Sequence, residues 1–228
     1  MVERFRAAWS RILTPLASWL LARGVTPDAI TWIGTAGVVI SALVCFPQGW
    51  LWQGAVAVTV FAFSDMIDGR MARLSGHTTS WGAFLDSTLD RLGDGAIFGG
   101  IMLYFVGTVD GSGHMGWAAI TLAALVLAQV TSYIKAKADS LGVVVPGGIA
   151  ARADRVIIIL IAAFLAGLGV RWVLELAVLV LAVLSGVTVA QRMYAVHRQL
   201  TGSHHVGEAD GHRHLGSPGT SPAGPNVG

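Results

Sequence analysis

From Ala29 to Val196 the chain is a series of apolar stretches with short polar breaks between them. Each stretch is near the ~20 residues that a helix needs to cross a bilayer. Spans are expected at Ala29–Phe46, Leu51–Leu74, Trp81–Gly107, Trp117–Ala138, Arg155–Leu168 and Trp172–Val196. Breaker residues support the cuts: Pro47-Gln48-Gly49, the run Gly107 to Gly116, Pro146-Gly147-Gly148, and Gly167 to Arg171. Only 12% of the residues are charged and 54% are hydrophobic, whereas a soluble domain averages about 25% charged. The expected fold is therefore an all-α integral membrane protein with six transmembrane helices. The spans are too closely spaced for a separate soluble domain. No basic run points to nucleic acid, and a lone Cys45 excludes an intrachain disulfide.

Ahead of the first span, Phe5, Trp9, Ile12, Leu13, Leu16 and Leu20 recur at helical spacing, with Arg4 and Arg11 elsewhere. Residues 1–23 therefore read as an amphipathic helix lying in the membrane interface, bent at Pro15. They lack the small-residue cleavage site of a signal peptide. A six-helix domain follows over residues 24–198. The remainder, 199–228, is rich in Gly, Ser, Pro and His and is expected to be disordered. His204, His205, His212 and His214 are read there as solvated rather than as metal ligands.

Positive charge sets the orientation. With six spans, Arg4, Arg6, Arg11, Arg23, Arg70, Arg73, Lys135, Lys137, Arg152, Arg155, Arg192 and Arg198 share one side, and Arg171 lies on the other. Both termini are thus expected in the cytoplasm, on a multi-pass protein of the plasma membrane.

Against this background four aspartates stand out. Asp65 and Asp68 fall in the second span, Asp86 and Asp90 in the third, all in the cytoplasmic half. An ionised carboxylate costs several kcal/mol in a bilayer, so it is rare there and usually functional. Spacings of three and four put each pair on one helix face. A short turn around Ser75–Ser80 makes the two helices antiparallel neighbours, so the acidic faces can meet. Carboxylates without Cys or His favour hard cations, Mg²⁺ or Mn²⁺, and four of them make two ions plausible. Unbalanced, the quartet would repel itself. Gly69, Ala72 and Gly82 leave room beside the acidic faces, and Arg73 can meet a phosphate with two donors. The set suits a pyrophosphate. A purely structural network of salt bridges would need more arginines nearby.

The run Asp65-x2-Asp68-Gly69-x2-Ala72-Arg73-x8-Gly82-x3-Asp86-x3-Asp90 resembles the signature of the CDP-alcohol phosphatidyltransferase family at every fixed position. Thr26-Pro27-Asp28-Ala29-Ile30-Thr31 also resembles the family's stretch before its first span, with Asp28 where Asn is usual. The resemblance implies transfer of a phosphatidyl group from CDP-diacylglycerol to an alcohol, with CMP leaving. It implies Asp65, Asp68 and Asp86 as primary metal ligands. Asp90 would be the base that takes the acceptor's proton and an additional metal ligand. Thr31, Trp32, Ile33, Gly34, Gly69, Ala72, Arg73, Thr79 and Gly82 would line the CDP-lipid pocket. A homodimer is the family expectation.

Lys135, Arg152, Arg155 and Arg192 are four cations around one cytoplasmic cavity and could bind an acceptor that carries its own phosphate. Leu13-Thr14-Pro15-Leu16, Gly24-Val25-Thr26-Pro27-Asp28 and Asp86-Ser87-Thr88-Leu89-Asp90-Arg91 are similar to the actinobacterial branch of the family that acts on inositol phosphate. That similarity implies 1D-myo-inositol 3-phosphate as acceptor, giving phosphatidylinositol phosphate, with Lys135, Arg155 and Arg192 as its phosphate clamp. Glycerol 3-phosphate would use the same cations; free inositol or serine would not need them. A divalent-cation transporter is the reading from another class, and would require acidic groups along a path to both faces. A lipid-binding scaffold would have no use for the complete acidic set.

Overall fold

The second expected span is two helices rather than one. α3 (Leu51–Ala62) stops at Phe63, and α4 (Ser64–Leu74) begins at once. The cause is local. Ser64 Oγ donates to the Phe61 carbonyl at 2.6 Å, and Met66 N–H bonds Phe63 O at 3.1 Å. These short-range bonds interrupt the i→i−4 ladder and break the helix at Phe63, two residues before Asp65.

The computed structural model describes residues 14–76, 79–107, 113–145 and 152–211, with 202–211 as backbone only. All regular structure there is helical. Besides α3 and α4 there are α1 (14–22), α2 (Pro27–Cys45), α5 (Ser80–Gly107), α6 (Gly113–Ser140), α7 (Arg152–Gly167) and α8 (Val173–Gly211). α2 begins where Thr26 Oγ1 accepts from Ala29 N–H at 3.3 Å and Pro27 occupies the first turn. Thr79 does the same for α5, accepting from Gly82 N–H at 3.0 Å.

α2 packs on α3 and α5, α5 on α6, α6 on α8, α8 on α7, and α7 on α3. That order closes a ring of six helices, with α4 laid against α2. Packing is close where side chains are missing. A Cβ on Gly100 of α5 would collide with the Ala42 carbonyl of α2, and one on Gly34 would collide with Ser64 at the α3–α4 break. Small residues at such crossings let backbones approach, which matters where lipid removes the hydrophobic drive between helices. Phe46, Val58, Ile101, Phe105, Ile159 and Leu181 fill the interior. The outer faces are apolar as well: Ile33, Ile40, Val60, Leu122, Val126 and Val183 are exposed. Apolar surface of that extent marks a membrane or partner interface.

Three helical stretches are long and apolar enough to cross a membrane: Pro27–Cys45, His114–Ser140 and Val173–Thr201. α5 has 28 residues but carries Asp86, Asp90, Arg91 and Asp94. α3 and α7 have 12 and 16 residues. Of the expected amphipathic helix, residues 1–13 lie outside the described residues. Residues 14–22 are helical, with Ala17 buried and Leu16 and Trp19 exposed. Arg70 ties this segment to α4, donating from Nε and Nη2 to Thr14 Oγ1 at 3.1 and 2.9 Å. At the other end α8 stays helical to Gly211, past the point where composition predicts the tail. Residues 212–228, with His212 and His214, lie outside the described residues, as do the side chains of His204 and His205.

Candidate active site

A cavity of about 520 Å³ opens inside the ring, walled by α2, α3, α4, α5 and α7. One end is polar, with Thr31, Asp65, Asp68, Asp86, Asp90 and Arg152. The other is apolar, with Ala55, Val56, Leu160, Ile161, Phe164 and Leu165.

The acidic faces of the two helices meet through their carboxylates, with α2 packed on both α4 and α5. One oxygen each from Asp65, Asp86 and Asp90 lies within 4.8 Å of the others. Asp65 is delivered by the first turn of α4, just after the Phe63 break. Asp86 and Asp90 stand one turn apart on α5. Asp68 is not part of that group. It is buried, and its Oδ2 accepts from Thr31 Oγ1 at 2.6 Å. Gly34 makes this bond possible, since its missing side chain lets α2 approach the α3–α4 break one turn from Thr31.

The donor set suits a hard divalent cation. It is all oxygen, and among the described residues no salt bridge reaches Asp65, Asp68 or Asp86. Asp90 differs. Arg152 Nη1 lies 2.7 Å from its Oδ1, and Arg91 Nη1 lies 3.4 Å from its Oδ2. Arg152 Nε also reaches Asp94 Oδ1 at 3.2 Å, and its Nη2 approaches the Asp90 carbonyl at 3.5 Å. Asp94 is buried at 4% exposure. Arg152, Asp94 and Gly93, which also lines the cavity, are site residues that the motif does not contain. Asp94 was nonetheless visible in sequence, because Asp86, Asp90 and Asp94 repeat every four residues.

Of the expected CDP-lipid residues, Thr31 and Gly34 line the cavity. Trp32 and Ile33 do not, being exposed at 54% and 63% on the opposite face of α2. Gly69, Ala72, Arg73, Thr79 and Gly82 flank it rather than line it. Arg73 Nε donates to the Gly69 carbonyl at 2.9 Å, which keeps its exposed guanidinium folded along α4. Thr79 and Gly82 form the α5 cap. The three expected clamp cations come from three helices, and none lines the cavity. Arg155 of α7 is buried at 3% exposure, within electrostatic reach of Asp94, Arg91, Arg152 and Arg192. Arg192 of α8 donates from Nη1 to the Thr131 carbonyl at 2.7 Å, while its buried Nε has no hydrogen-bond partner among the described residues. Lys135 of α6 is exposed. A cation path to both faces has no support here, since the carboxylates gather at one end and the other end is apolar.

The family model for CDP-alcohol phosphatidyltransferases matches residues 24–188. The chain belongs to this family. As a CDP-alcohol phosphatidyltransferase it is an enzyme, a membrane transferase of phospholipid synthesis. It is 50% identical over 206 residues to a phosphatidylinositol phosphate synthase of Cutibacterium acnes, covering 87% of this chain and 98% of that one. Identity to the Streptomyces avermitilis protein of the same name is 46% over 201 residues, covering 85% and 81%. Among solved structures, the phosphatidylinositol phosphate synthase of Mycobacterium tuberculosis with CDP-DAG bound superposes with a TM-score of 0.76 at 40% identity. That match covers 82% of this transferase and 94% of the other. The same enzyme has been solved with manganese and citrate, again at a TM-score of 0.76 and 40% identity, covering 81% and 88%.

Proposed function

We propose that this transferase is a phosphatidylinositol phosphate synthase. It moves the phosphatidyl group of CDP-diacylglycerol to 1D-myo-inositol 3-phosphate and releases CMP. The observation that carries the reading is the cavity itself, where a three-carboxylate group sits at the polar end of a slot whose other end is apolar. Its supports are the complete motif and the relatives of that name.

Asp65, Asp86 and Asp90 hold the cations, with Asp68 joining them when Thr31 releases it. Two Mg²⁺ or Mn²⁺ ions are proposed, since two divalent charges balance four carboxylates. When bound, they neutralise the pyrophosphate and stabilise charge developing on the attacked phosphorus and the departing CMP. The apolar end takes the lipid tails, and Ile157 and Ile161, both exposed on α7, give them a way in from the bilayer. Thr31, Gly34, Gly69, Ala72, Arg73, Thr79 and Gly82 surround the cytidine and pyrophosphate. Arg155 and Arg192, with Lys135 at the rim, take the acceptor's phosphate; the unpartnered Arg192 Nε is a donor ready for it. Asp90 accepts the proton of the inositol hydroxyl. The freed oxygen bonds to the lipid-side phosphorus as the bond from that phosphorus to the CMP phosphate oxygen breaks.

The same reading completes the membrane picture. α3 with α4, α5 and α7 are the remaining three spans beside α2, α6 and α8, and the helix over residues 14–22 lies along the interface. The arginine bias puts both termini and the aspartates on the cytoplasmic side of the plasma membrane. A homodimer fits α5, where a Cβ on Gly95 or Gly99 would meet nothing within 4 Å and Leu92 and Leu103 are exposed.

The deciding experiment offers purified protein CDP-diacylglycerol and Mn²⁺ with inositol 3-phosphate, inositol, glycerol 3-phosphate or serine in turn. CMP release is expected with inositol 3-phosphate. Faster release with glycerol 3-phosphate would replace the acceptor and keep the chemistry.

A further inference from the structure

The contact between Arg152 and α5 crosses the ring rather than following it. α7 packs on α3 and α8, and α5 on α2 and α6, so the two helices are not ring neighbours. Yet the first residue of α7 places its guanidinium on two successive turns of α5. Nη1 meets Asp90 Oδ1 at 2.7 Å and Nε meets Asp94 Oδ1 at 3.2 Å. Both bonds come from one planar group, so fixing Asp94 fixes the direction from which Asp90 is held. Asp94 is suited to that task. It is buried at 4% exposure, where a charge is costly unless paired, and Arg152 is the salt-bridge partner it has among the described residues. Gly93 lies beneath the guanidinium; a Cβ there would stand 4.0 Å from Nη2.

Asp90 needs such a hold. It stands one turn from Asp86 on the same helix and within 4.8 Å of both Asp86 and Asp65. Repulsion from two carboxylates turns an unrestrained side chain away from the group. The other ion pair of Asp90 is the longer one, 3.4 Å to the more exposed side chain of its chain neighbour Arg91.

We propose that Arg152, anchored by Asp94, is a positioning residue that sets the orientation of the Asp90 carboxylate for proton removal. Arg152 is thereby separate from the acceptor clamp. The inference rests on the reading of Asp90 as the base.

The test uses the full chain in detergent with CDP-diacylglycerol, inositol 3-phosphate and Mn²⁺, following CMP release. Arg152→Ala is expected to lower kcat about 10²-fold, the scale of a small misplacement of a reacting group, with both KM values little changed. Asp94→Asn is expected to lower kcat roughly tenfold, as loss of an outer partner does. The double variant should be no slower than Arg152→Ala alone, because both act through one contact. Arg152→Lys keeps the charge but cannot fork to both aspartates; its kcat should fall between parent and Arg152→Ala, and it serves if the alanine variant does not fold. A raised KM for inositol 3-phosphate at parental kcat would move Arg152 into the clamp and overturn the proposal, as would parental kcat in Arg152→Lys. Asp90→Asn run in parallel separates the two claims. Turnover retained in Asp90→Asn removes the base itself, whereas an inactive Asp90→Asn beside an Arg152→Ala of parental kcat removes only the positioning.

Discussion

The two charged regions around the cavity are built in opposite ways. The acidic end is already gathered: Asp65 from α4 and Asp86 and Asp90 from α5 bring oxygens within 4.8 Å of one another. The cationic side is spread over three helices, with Arg155 buried, Arg192 half-buried and bonded to Thr131, and Lys135 exposed. A site that binds a divalent ion must hold its ligands close before the ion arrives, because the ion tolerates little misplacement. A site that binds a mobile phosphate needs donors within reach, not a fixed cage. On the proposed reading, the cytidine-lipid half of the reaction is preorganised and the acceptor half is assembled around its substrate.

Loss of one acidic ligand tests the first half of that contrast most severely. Asp86→Asn is expected to lower turnover by about 10²–10³-fold or more, the scale for removing a group that stabilises transition-state charge. Chelation of the parent enzyme should give a comparable loss, restored by Mn²⁺ or Mg²⁺. An Asp86→Asn enzyme within a few fold of its parent would mean that the gathered carboxylates are not the metal site.

The acidic half was also the half that sequence could show. Its spacing along two helices is short-range information, and an energetic anomaly in apolar sequence draws attention to it. Where reading failed, the cause was three-dimensional. The break at Phe63 comes from one Ser64 hydroxyl, which no periodicity reveals. Trp32 and Ile33 belong to the same turn as Thr31 and Gly34, yet helix geometry turns them outward. Asp94 continues the four-residue stripe of Asp86 and Asp90 and was legible as such. Arg152 was legible as a cation at the cytoplasmic cavity, but its pairing with Asp94 was not, because the two are joined across the ring and far apart in sequence.

Arg155→Ala comes next in expected size. A hydrogen bond to a charged group is worth about 1.5–3 kcal/mol, so the KM for inositol 3-phosphate should rise roughly 10–100-fold. The KM for CDP-diacylglycerol should stay near that of the parent. Because Arg155 also lies near Asp94, kcat needs to be measured separately. Equal effects on the two substrates would show that Arg155 shapes the site as a whole and does not belong to the acceptor half.

Lys135→Ala is the smallest effect and the sharpest test of how loosely the cationic side is organised. Lys135 is exposed on α6, one turn from Thr131, whose carbonyl accepts from Arg192. An ammonium in that position meets a phosphate through water-screened attraction, which is worth about 0–1 kcal/mol. The KM for inositol 3-phosphate should then rise by no more than about fivefold, and raised salt should erase the difference between variant and parent. An effect as large as that of Arg155→Ala, and insensitive to salt, would mean that Lys135 is drawn into a closed, desolvated pocket once the acceptor binds. The acceptor half would then be as tightly ordered during turnover as the acidic half is beforehand, and the contrast between them would hold only for the free enzyme.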